Sequence, residues 1–149
     1  IFEETHNHTL CIMAMTGITV NDDIINLFND FKLKKTEHKV ILFKIEGSDV
    51  VKAETTETPD FDEFLGLLPE AEPRFAVLDF EYETTDGRPT DKVVFVSWIP
   101  ENCKVRDKMK YSGTKEAVKN AFVGISVNIN ATDLSEVTRD IVIENCNKV

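Results

Sequence analysis

The stretch RFAVLDFEYETTDGRPTDKVVFVSWI, residues 74–99, decides the fold class of this chain. Apolar side chains alternate with others along residues 74–83, which is typical of a strand with one buried face. Residues 92–99 form a nearly continuous β-branched and aromatic run, which is typical of a strand buried on both faces. Residues 84–91 are rich in turn-forming residues and predict a loop that projects from the sheet. The sequence therefore predicts a central sheet that contains these two strands.

Helical and strand patterns flank these two strands on both sides. Asn21 followed by two acids has the chemistry of a helix start, and Asp133 with Glu136 resembles a capping box that opens a final helix. The other predicted elements are helices at residues 21–33, 59–65 and 105–123, the last bent near residues 112–113, and strands at residues 39–45, 50–55 and 125–130. Such interleaving predicts an α/β (mixed α+β) fold, a central mixed β-sheet of five to six strands flanked by helices on both faces.

Length and composition predict one folded domain. A chain of 149 residues with 42% hydrophobic content can bury about two-thirds of the surface that it exposes when unfolded. Residues 15–149 are predicted to form the domain, whereas residues 1–14 show no helical or strand period and are predicted to be a flexible amino-terminal extension. A monomer is the simplest expectation.

The charge and the cysteines restrict the partners and the compartment. A formal net charge of −10 argues against broad binding to nucleic acid or anionic lipid. Cys11, Cys103 and Cys146 have no CxxC spacing and follow no secretory signal, which disfavours a disulfide framework or a zinc site. We expect a cytoplasmic protein with no nucleic-acid partner.

Sequence motifs for catalysis are missing. The chain contains no GxGxxG, GxxxxGK[ST], HExxH or GxSxG motif. Asp60, Asp62 and Glu63 could form a catalytic carboxylate pair, but acids at a helix start are more often solubilising charges. We predict a protein that is not an enzyme and needs no metal or cofactor, and an unchanged activity after Ala substitution of Asp60 or Asp62 would count against the enzyme alternative.

Basic residues are concentrated in the predicted long helix. Residues 104–119 hold six of the 17 lysines and arginines against two acids, a local charge of +4 in an acidic chain. This cluster is either a solvated helix face or a docking face for an acidic partner, because like charges on one rigid helix raise association rates and fix orientation.

Four segments resemble the actin-depolymerising factor/cofilin family. Residues 105–117, VRDKMKYSGTKEA, are similar to the family pattern VRSKMxYASSKDA, and residues 74–83 are similar to RYAIYDFEYE. Residues 16–23 resemble a Ser-Gly-Val segment before a capped acidic helix start, and residues 98–101 resemble W-x-P-[DE]. The segments occur in family order between about residues 15 and 148. The resemblance implies the actin-depolymerising-factor homology fold, which is gelsolin-like, and binding to monomeric and filamentous actin.

The resemblance also implies two actin-contacting surfaces. The monomer surface would contain the amino-terminal residues Thr16, Gly17 and Ile18 and the long-helix residues Arg106, Lys108, Met109 and Ser112, with Lys115 included as a neighbouring basic residue on that helix. The filament surface would contain Arg88, Lys92, Glu144 and Lys148. Relatives with strong severing activity carry Glu-Arg followed by another basic residue in the last helix, whereas this chain has Glu144-Asn145 with only Lys148 nearby, so we expect weaker filament contact and weak severing.

Two regulatory expectations and one alternative follow from the resemblance. Thr16 occupies the position of a phosphorylatable serine, and a phosphate there would place about −1.5 to −2 charges opposite an acidic actin surface. The basic helix could also bind phosphoinositides in competition with actin. The alternative function is a glia-maturation-factor-like regulator of branched actin networks that binds actin-related proteins.

Overall fold

The two strands predicted from residues 74–99 lie side by side in one mixed sheet. A computed structural model describes residues 12–13 and 16–148 of the chain. The strands are β1 (Ile12–Met13), β2 (Thr19–Val20), β3 (Val40–Glu46), β4 (Asp49–Thr56), β5 (Arg74–Glu83), β6 (Pro89–Trp98) and β7 (Val127–Ala131). The helices are α1 (Asp22–Lys32), α2 (Phe61–Gly66), α3 (Val105–Ala121) and α4 (Arg139–Asn147), with a 3-10 helix at Leu134–Glu136.

The sheet has the strand order β1-β2-β4-β3-β5-β6-β7. Neighbouring strands are antiparallel except for two parallel pairs, β2 with β4 and β6 with β7. The predicted mixed sheet is therefore confirmed, with seven strands among the described residues where five to six were expected. β1 and β2 have two residues each, too few to leave a periodic pattern in the sequence. The predicted amino-terminal extension lies outside the described residues, apart from the two residues of β1.

Helices cover both faces of the sheet, as predicted. Neighbouring residues of β3 point to opposite faces, so that Leu42 and Phe43 belong to two separate apolar clusters. One cluster packs α1 and α3 against the sheet, and the other packs α2 and α4 against it. Phe28 of α1 stacks on Phe122 just after α3, with 4.5 Å between the ring centroids. α3 connects β6 to β7, so this helix is the crossover of a parallel strand pair.

The predicted projecting loop is mostly a β-hairpin. β6 begins at Pro89, and β5 and β6 remain paired out to Glu83 opposite Pro89. The turn is limited to residues 84–88, where the Thr84 amide donates to the Arg88 carbonyl at 2.9 Å. Residues 89–91 of β6 are exposed or half-buried and show no apolar alternation, so their composition predicts a loop although they pair as a strand.

The helix starts follow their capping residues, with one correction. Asn21 accepts a hydrogen bond from the Ile24 amide at 3.2 Å and starts α1 as predicted. The final helix, however, does not begin at Asp133. Glu136 accepts from both the amide and the hydroxyl of Thr132, so the predicted capping box closes a 3-10 turn instead. Thr138 caps α4 by accepting from the Ile141 amide at 3.3 Å.

Burial explains the two apolar phases of the long helix. Val118 is fully buried against the sheet, whereas Val105 and Met109 are 70% and 69% exposed. The sequence pattern predicts a bend near residues 112–113 that would turn Val105, Met109 and Val118 toward one core. The apolar residues instead lie on two different sides of α3, one facing the sheet and one facing solvent. Within the described part of the chain, no helix has the length and apolarity needed to cross a membrane.

Candidate functional site

The solvent side of α3 combines exposed apolar residues with basic residues. Val105 and Met109 are one turn apart and both project from the surface. Arg106 beside them is exposed, and Lys108 is half-buried. Neither Arg106 nor Lys108 makes an ion pair with any described residue, although Lys119 on the same helix pairs with Glu116 at 3.4 Å. An apolar patch with uncompensated positive charge is typical of a protein-binding surface.

The amino-terminal segment docks directly on this helix. The Thr114 hydroxyl donates to the Lys110 carbonyl at 2.7 Å, so its oxygen accepts the hydrogen bond from the Thr16 hydroxyl, 2.8 Å away. Gly113 permits this approach, because a Cβ there would lie 2.6 Å from the Thr16 Cγ2. The structure therefore brings together the two halves of the predicted monomer surface. Sequence reasoning missed the contribution of Thr114.

The three amino-terminal site residues differ in their placement. Thr16 and Gly17 are exposed, and Gly17 has a φ of 84°, a conformation that glycine adopts without strain. Ile18 is only 5% exposed and packs in the core cluster beneath α1 and α3. Its side chain therefore anchors the segment and does not face a partner, and any contact through Ile18 would be confined to its backbone.

Tyr111 fixes α3 to the sheet from the opposite side of the helix. Its hydroxyl accepts a hydrogen bond from the Ile45 amide at 2.8 Å, at the end of β3. Its ring lies 5.2 Å from the ring of Phe75, and burial raises the pKa of the Tyr111 hydroxyl above its usual value. The rigid attachment of α3 keeps its exposed side in a fixed orientation.

A cleft separates α3 from the ends of β6 and β7. Lys108, Ser112 and Lys115 line its helical wall, and Asn130 of β7 lies on the opposite wall. The Lys115 ammonium donates to the Asn130 Oδ1 at 3.2 Å, so it crosses the cleft to the sheet. Three of the predicted monomer-surface residues thus share one concave feature beside the exposed patch.

The predicted filament-surface residues lie on the β5–β6 hairpin and on α4, and their charges are internally bonded. Arg88 pairs with Asp86 at 3.1 Å in the hairpin turn. Lys148 pairs with Glu144 at 3.5 Å along α4. Lys92 donates to the carbonyl of Cys146 at 2.9 Å, near the carboxyl end of α4. Lys92 therefore joins the hairpin to the final helix and brings this predicted surface together.

A lysine outside the predicted sites holds the hairpin. Lys34, which has a φ of 62°, places its ammonium 2.8 Å from Asp79 of β5 and 2.5 Å from Asp91 of β6. The hydrogen bonds to Asp79 and Asp91 raise the pKa of Lys34, and the bond from Lys34 lowers the pKa of Asp91. Lys34 therefore balances the charge of Asp91.

The residues considered for catalysis have local structural roles. Asp60 caps α2 by accepting from the Asp62 amide at 3.0 Å, and Glu63 accepts from the Thr56 hydroxyl at 3.3 Å. Within residues 12–13 and 16–148, no three His, Cys, Asp or Glu side chains are grouped to hold a metal ion.

Comparisons with known proteins agree on one family. The sequence profile of the family described as cofilin/tropomyosin-type actin-binding protein matches residues 17–147. An Entamoeba histolytica protein named actophorin is 43% identical over 132 residues, which cover 87% of this chain and 94% of that protein. Saccharomyces cerevisiae cofilin is 39% identical over 135 residues, covering 89% and 94%. The crystal structure of Streptomyces griseoflavus cofilin superposes with a TM-score of 0.81 at 35% identity, covering 89% of this chain and 98% of that one.

Proposed function

This chain belongs to the cofilin/tropomyosin-type actin-binding protein family, and from that premise we propose that it binds actin monomers and filaments and promotes filament depolymerisation and turnover. It acts as a single domain, residues 15–149, within the cytoplasmic actin cytoskeleton. The observation that supports the proposal most strongly is the solvent side of α3, where Met109 and Val105 are exposed beside the basic residues Arg106 and Lys108.

The monomer surface uses two kinds of interaction. Arg106 and Lys108 attract an acidic partner and orient it, because neither is ion-paired with another described residue. Met109 adds an adaptable apolar contact at the centre of the patch, and burial of one such side chain stabilises a complex by about 1.5–3 kcal/mol. Thr16 and Gly17 extend this surface from the docked amino-terminal segment.

Depolymerisation requires no chemical step by this chain. A protein that binds one filament conformation more tightly than another shifts the population toward the first and changes the contacts between subunits. The second contact, on the filament surface, would come from Arg88, Lys92, Glu144 and Lys148. Since Arg88 and Lys148 are already paired within the chain, we infer a weak filament contact and weak severing.

A phosphate on Thr16 would act on the docked segment. The phosphorylated oxygen loses the proton that Thr16 donates to Thr114, and the added group must fit where Thr16 packs against Gly113. Modification therefore releases the segment from α3 and also adds negative charge to a surface that attracts acids. Phosphoinositide headgroups, which are anionic, would compete with actin for the same basic helix.

The test compares monomer binding and filament co-sedimentation for the wild type and the Arg106→Ala/Lys108→Ala variant. A matched control is Lys35→Ala/Lys52→Ala, which removes two exposed charges from other elements. We expect the first variant to lose at least about tenfold in monomer affinity, since each lost charge contact contributes about 1 kcal/mol or more, and the control to bind normally. Failure of the wild type to bind either form at micromolar concentration would refute the proposal and make actin-related proteins the next partners to test.

A further inference from the structure

β5 has an open edge close to the hairpin turn. β3 pairs with β5 as far as Val40 opposite Leu78, whereas β5 continues to Glu83. On its other side β5 remains paired with β6 along its whole length. Among the described residues, 80–83 therefore have a neighbouring strand on one side only, and their open edge is about 13 Å long at about 3.3 Å per residue.

The backbone groups on this edge belong to Glu81 and Glu83. The Asp79 amide donates to the Lys39 carbonyl at 2.9 Å, on the side of β5 where β3 lies. Alternate residues of an antiparallel strand direct their amides and carbonyls to the same side, so those of Glu81 and Glu83 point past the end of β3. No described strand bonds to them there, and such an edge is a template for a further strand.

Two concave regions flank the open edge. The larger one, of about 640 Å³, begins where β3 starts, at Val40, and continues along β5 to Glu81, with Phe61 and Phe80 in its walls. The second, of about 610 Å³, lies over the hairpin end and shares Glu81 and Arg139 with the first. Both volumes are in the range of ligand-binding sites, so there is room beside β5 for a short extended segment.

The two faces of this edge differ in chemistry. Phe80 and Tyr82 point to the face that α2 and α4 cover, where both belong to the apolar cluster. Glu81 and Glu83 point to the opposite face and are exposed. A strand added to β5 would place its side chains alternately beside aromatic rings and beside carboxylates. The segment that fits therefore alternates apolar and basic residues.

The local charge also favours a basic partner. Two bases, Lys39 and Arg139, line the concave regions against six acids: Asp60, Asp62, Asp79, Glu81, Glu83 and Asp91. Lysines bond to three of these acids, whereas Asp62 and Glu83 make no ion pair with any described residue. A second copy of the chain, paired edge to edge, would place glutamates opposite glutamates, which destabilises a strand pair.

We propose that the open edge of β5 binds an extended, basic segment of a partner protein by strand addition, antiparallel to β5 as β3 is. Lysine or arginine side chains of the segment lie opposite Glu81 and Glu83, and its apolar side chains face Phe80. Backbone hydrogen bonds supply affinity, and the alternation of side chains supplies specificity. This surface is additional to the proposed actin contacts, since none of the residues assigned to either actin surface lines it.

The probe is a capped hexapeptide of alternating lysine and valine, titrated into the full chain while the amide resonances of Glu81 and Glu83 are followed. We expect saturable binding and slower hydrogen exchange at both amides, because each gains a hydrogen bond. Two control peptides should bind at least about tenfold more weakly: alternating glutamate and valine, and the lysine peptide N-methylated at its lysine amides, which face β5. Equal binding of the N-methylated peptide would reduce the contact to charge attraction and overturn the proposal, as would the absence of saturable binding.

The matched protein variants are Glu83→Pro and Glu83→Gln. Glu83→Pro removes the outward amide but no hydrogen bond to β6, whereas Glu83→Gln removes the charge and keeps the amide. Affinity for the lysine peptide should fall about tenfold in Glu83→Pro and about threefold in Glu83→Gln, with the exposed Glu54→Gln unchanged.

Thermal unfolding verifies the fold of these variants, and the N-methylated peptide gives the same test on the wild type if Glu83→Pro does not fold. Equal affinities of Glu83→Pro and Glu83→Gln would overturn the role of the backbone. Self-association that protects the Glu81 and Glu83 amides without peptide would overturn the proposal in favour of a second copy.

Discussion

On α3, Arg106 and Lys108 make no ion pair with any described residue, whereas on the β5–β6 hairpin and α4 the cations Arg88 and Lys148 are each paired with a nearby acid. The two surfaces therefore differ less in their number of basic residues than in the availability of those charges. A cation that is paired within the chain must exchange its own acidic partner for an acid of the bound protein, so the net gain in binding free energy is small. This difference supports a strong monomer contact and a weak filament contact.

The largest expected effect comes from replacing an apolar side chain of the exposed patch on α3 with an acidic one. Met109→Glu replaces the exposed apolar centre of α3 with a charge of the same sign as an acidic partner. We expect monomer affinity to fall about 100-fold, because both an apolar contact and the local positive charge are lost. The measurement is monomer-binding fluorescence, with thermal unfolding as a check on the fold.

Val123→Glu is the matched control for this change. Val123 is exposed to nearly the same extent as Met109 but lies beyond the carboxyl end of α3. The control should bind as the wild type does. An equal loss in both variants would mean that exposed apolar residues in general, and not this patch, carry the interaction.

A smaller effect is expected from Gly113→Ala. The added Cβ would meet the Thr16 methyl at 2.6 Å and displace the amino-terminal segment, so monomer affinity should fall about tenfold. Helix propensity acts in the opposite direction, since Ala is favoured over Gly inside a helix by about 1 kcal/mol. Lost affinity without lost stability would assign the effect to the displaced segment. Gly66→Ala, which has open space around the new Cβ, should leave binding unchanged.

Removal of an acidic residue from the filament surface should strengthen binding, whereas the changes on α3 weaken it. Asp86→Asn removes the partner of Arg88 and leaves its guanidinium available. We expect filament affinity to rise about threefold, the scale of one exposed ion pair, with monomer affinity unchanged. Co-sedimentation at low ionic strength is the sensitive assay, with the exposed Glu54→Gln as a control of equal charge change. A rise in both assays, or in neither, would contradict the proposed separation of the two surfaces.

The smallest expected effect is on stability, through the ion pairs between Lys34 and the β5–β6 hairpin. The pKa of Asp91 is lowered by the hydrogen bond from Lys34. This contact therefore stabilises the fold at pH values above the unfolded-state pKa of about 3.9, and its contribution is lost as the pH falls through the lower, folded-state pKa. The pKa of Lys34 is raised by Asp79 and Asp91, so the contact is also lost as the pH rises through that raised value. Asp91→Asn should therefore lower the unfolding midpoint slightly at neutral pH and converge with the wild type in strong acid. A constant difference at all pH values would show that the contact does not depend on charge.

Local patterns predicted β3 to β7 and the first helices because the causes of these elements are local, whereas the two-residue strands β1 and β2 left no pattern. The bounds predicted for β5 are those observed, since the alternation of residues 74–83 reports its burial directly. The start of α4 was wrong because two residues with capping chemistry occur in succession, and only the fold shows that Thr138 and not Asp133 caps the helix. The contact of Thr16 with Thr114 joins residues 98 apart in the chain, and no local pattern predicts it.

The candidate site was predicted in its composition but not in its arrangement. Basic residues of α3 could be identified from charge alone, but the pairing of Arg88 and Lys148 depends on side-chain geometry.

The crossover position of α3 also has a kinetic consequence. α3 lies between β6 and β7 in the chain, and these two strands pair in parallel. The packed position of the helix therefore depends on a non-local strand pairing, which forms late relative to hairpins and isolated helices. The proposed binding surface on α3 therefore does not belong to a segment that folds independently of the sheet. Amide hydrogens of α3 should exchange with solvent through openings nearly as costly as unfolding of the sheet, so that the chain cannot lose its docking helix by local fraying while the sheet persists.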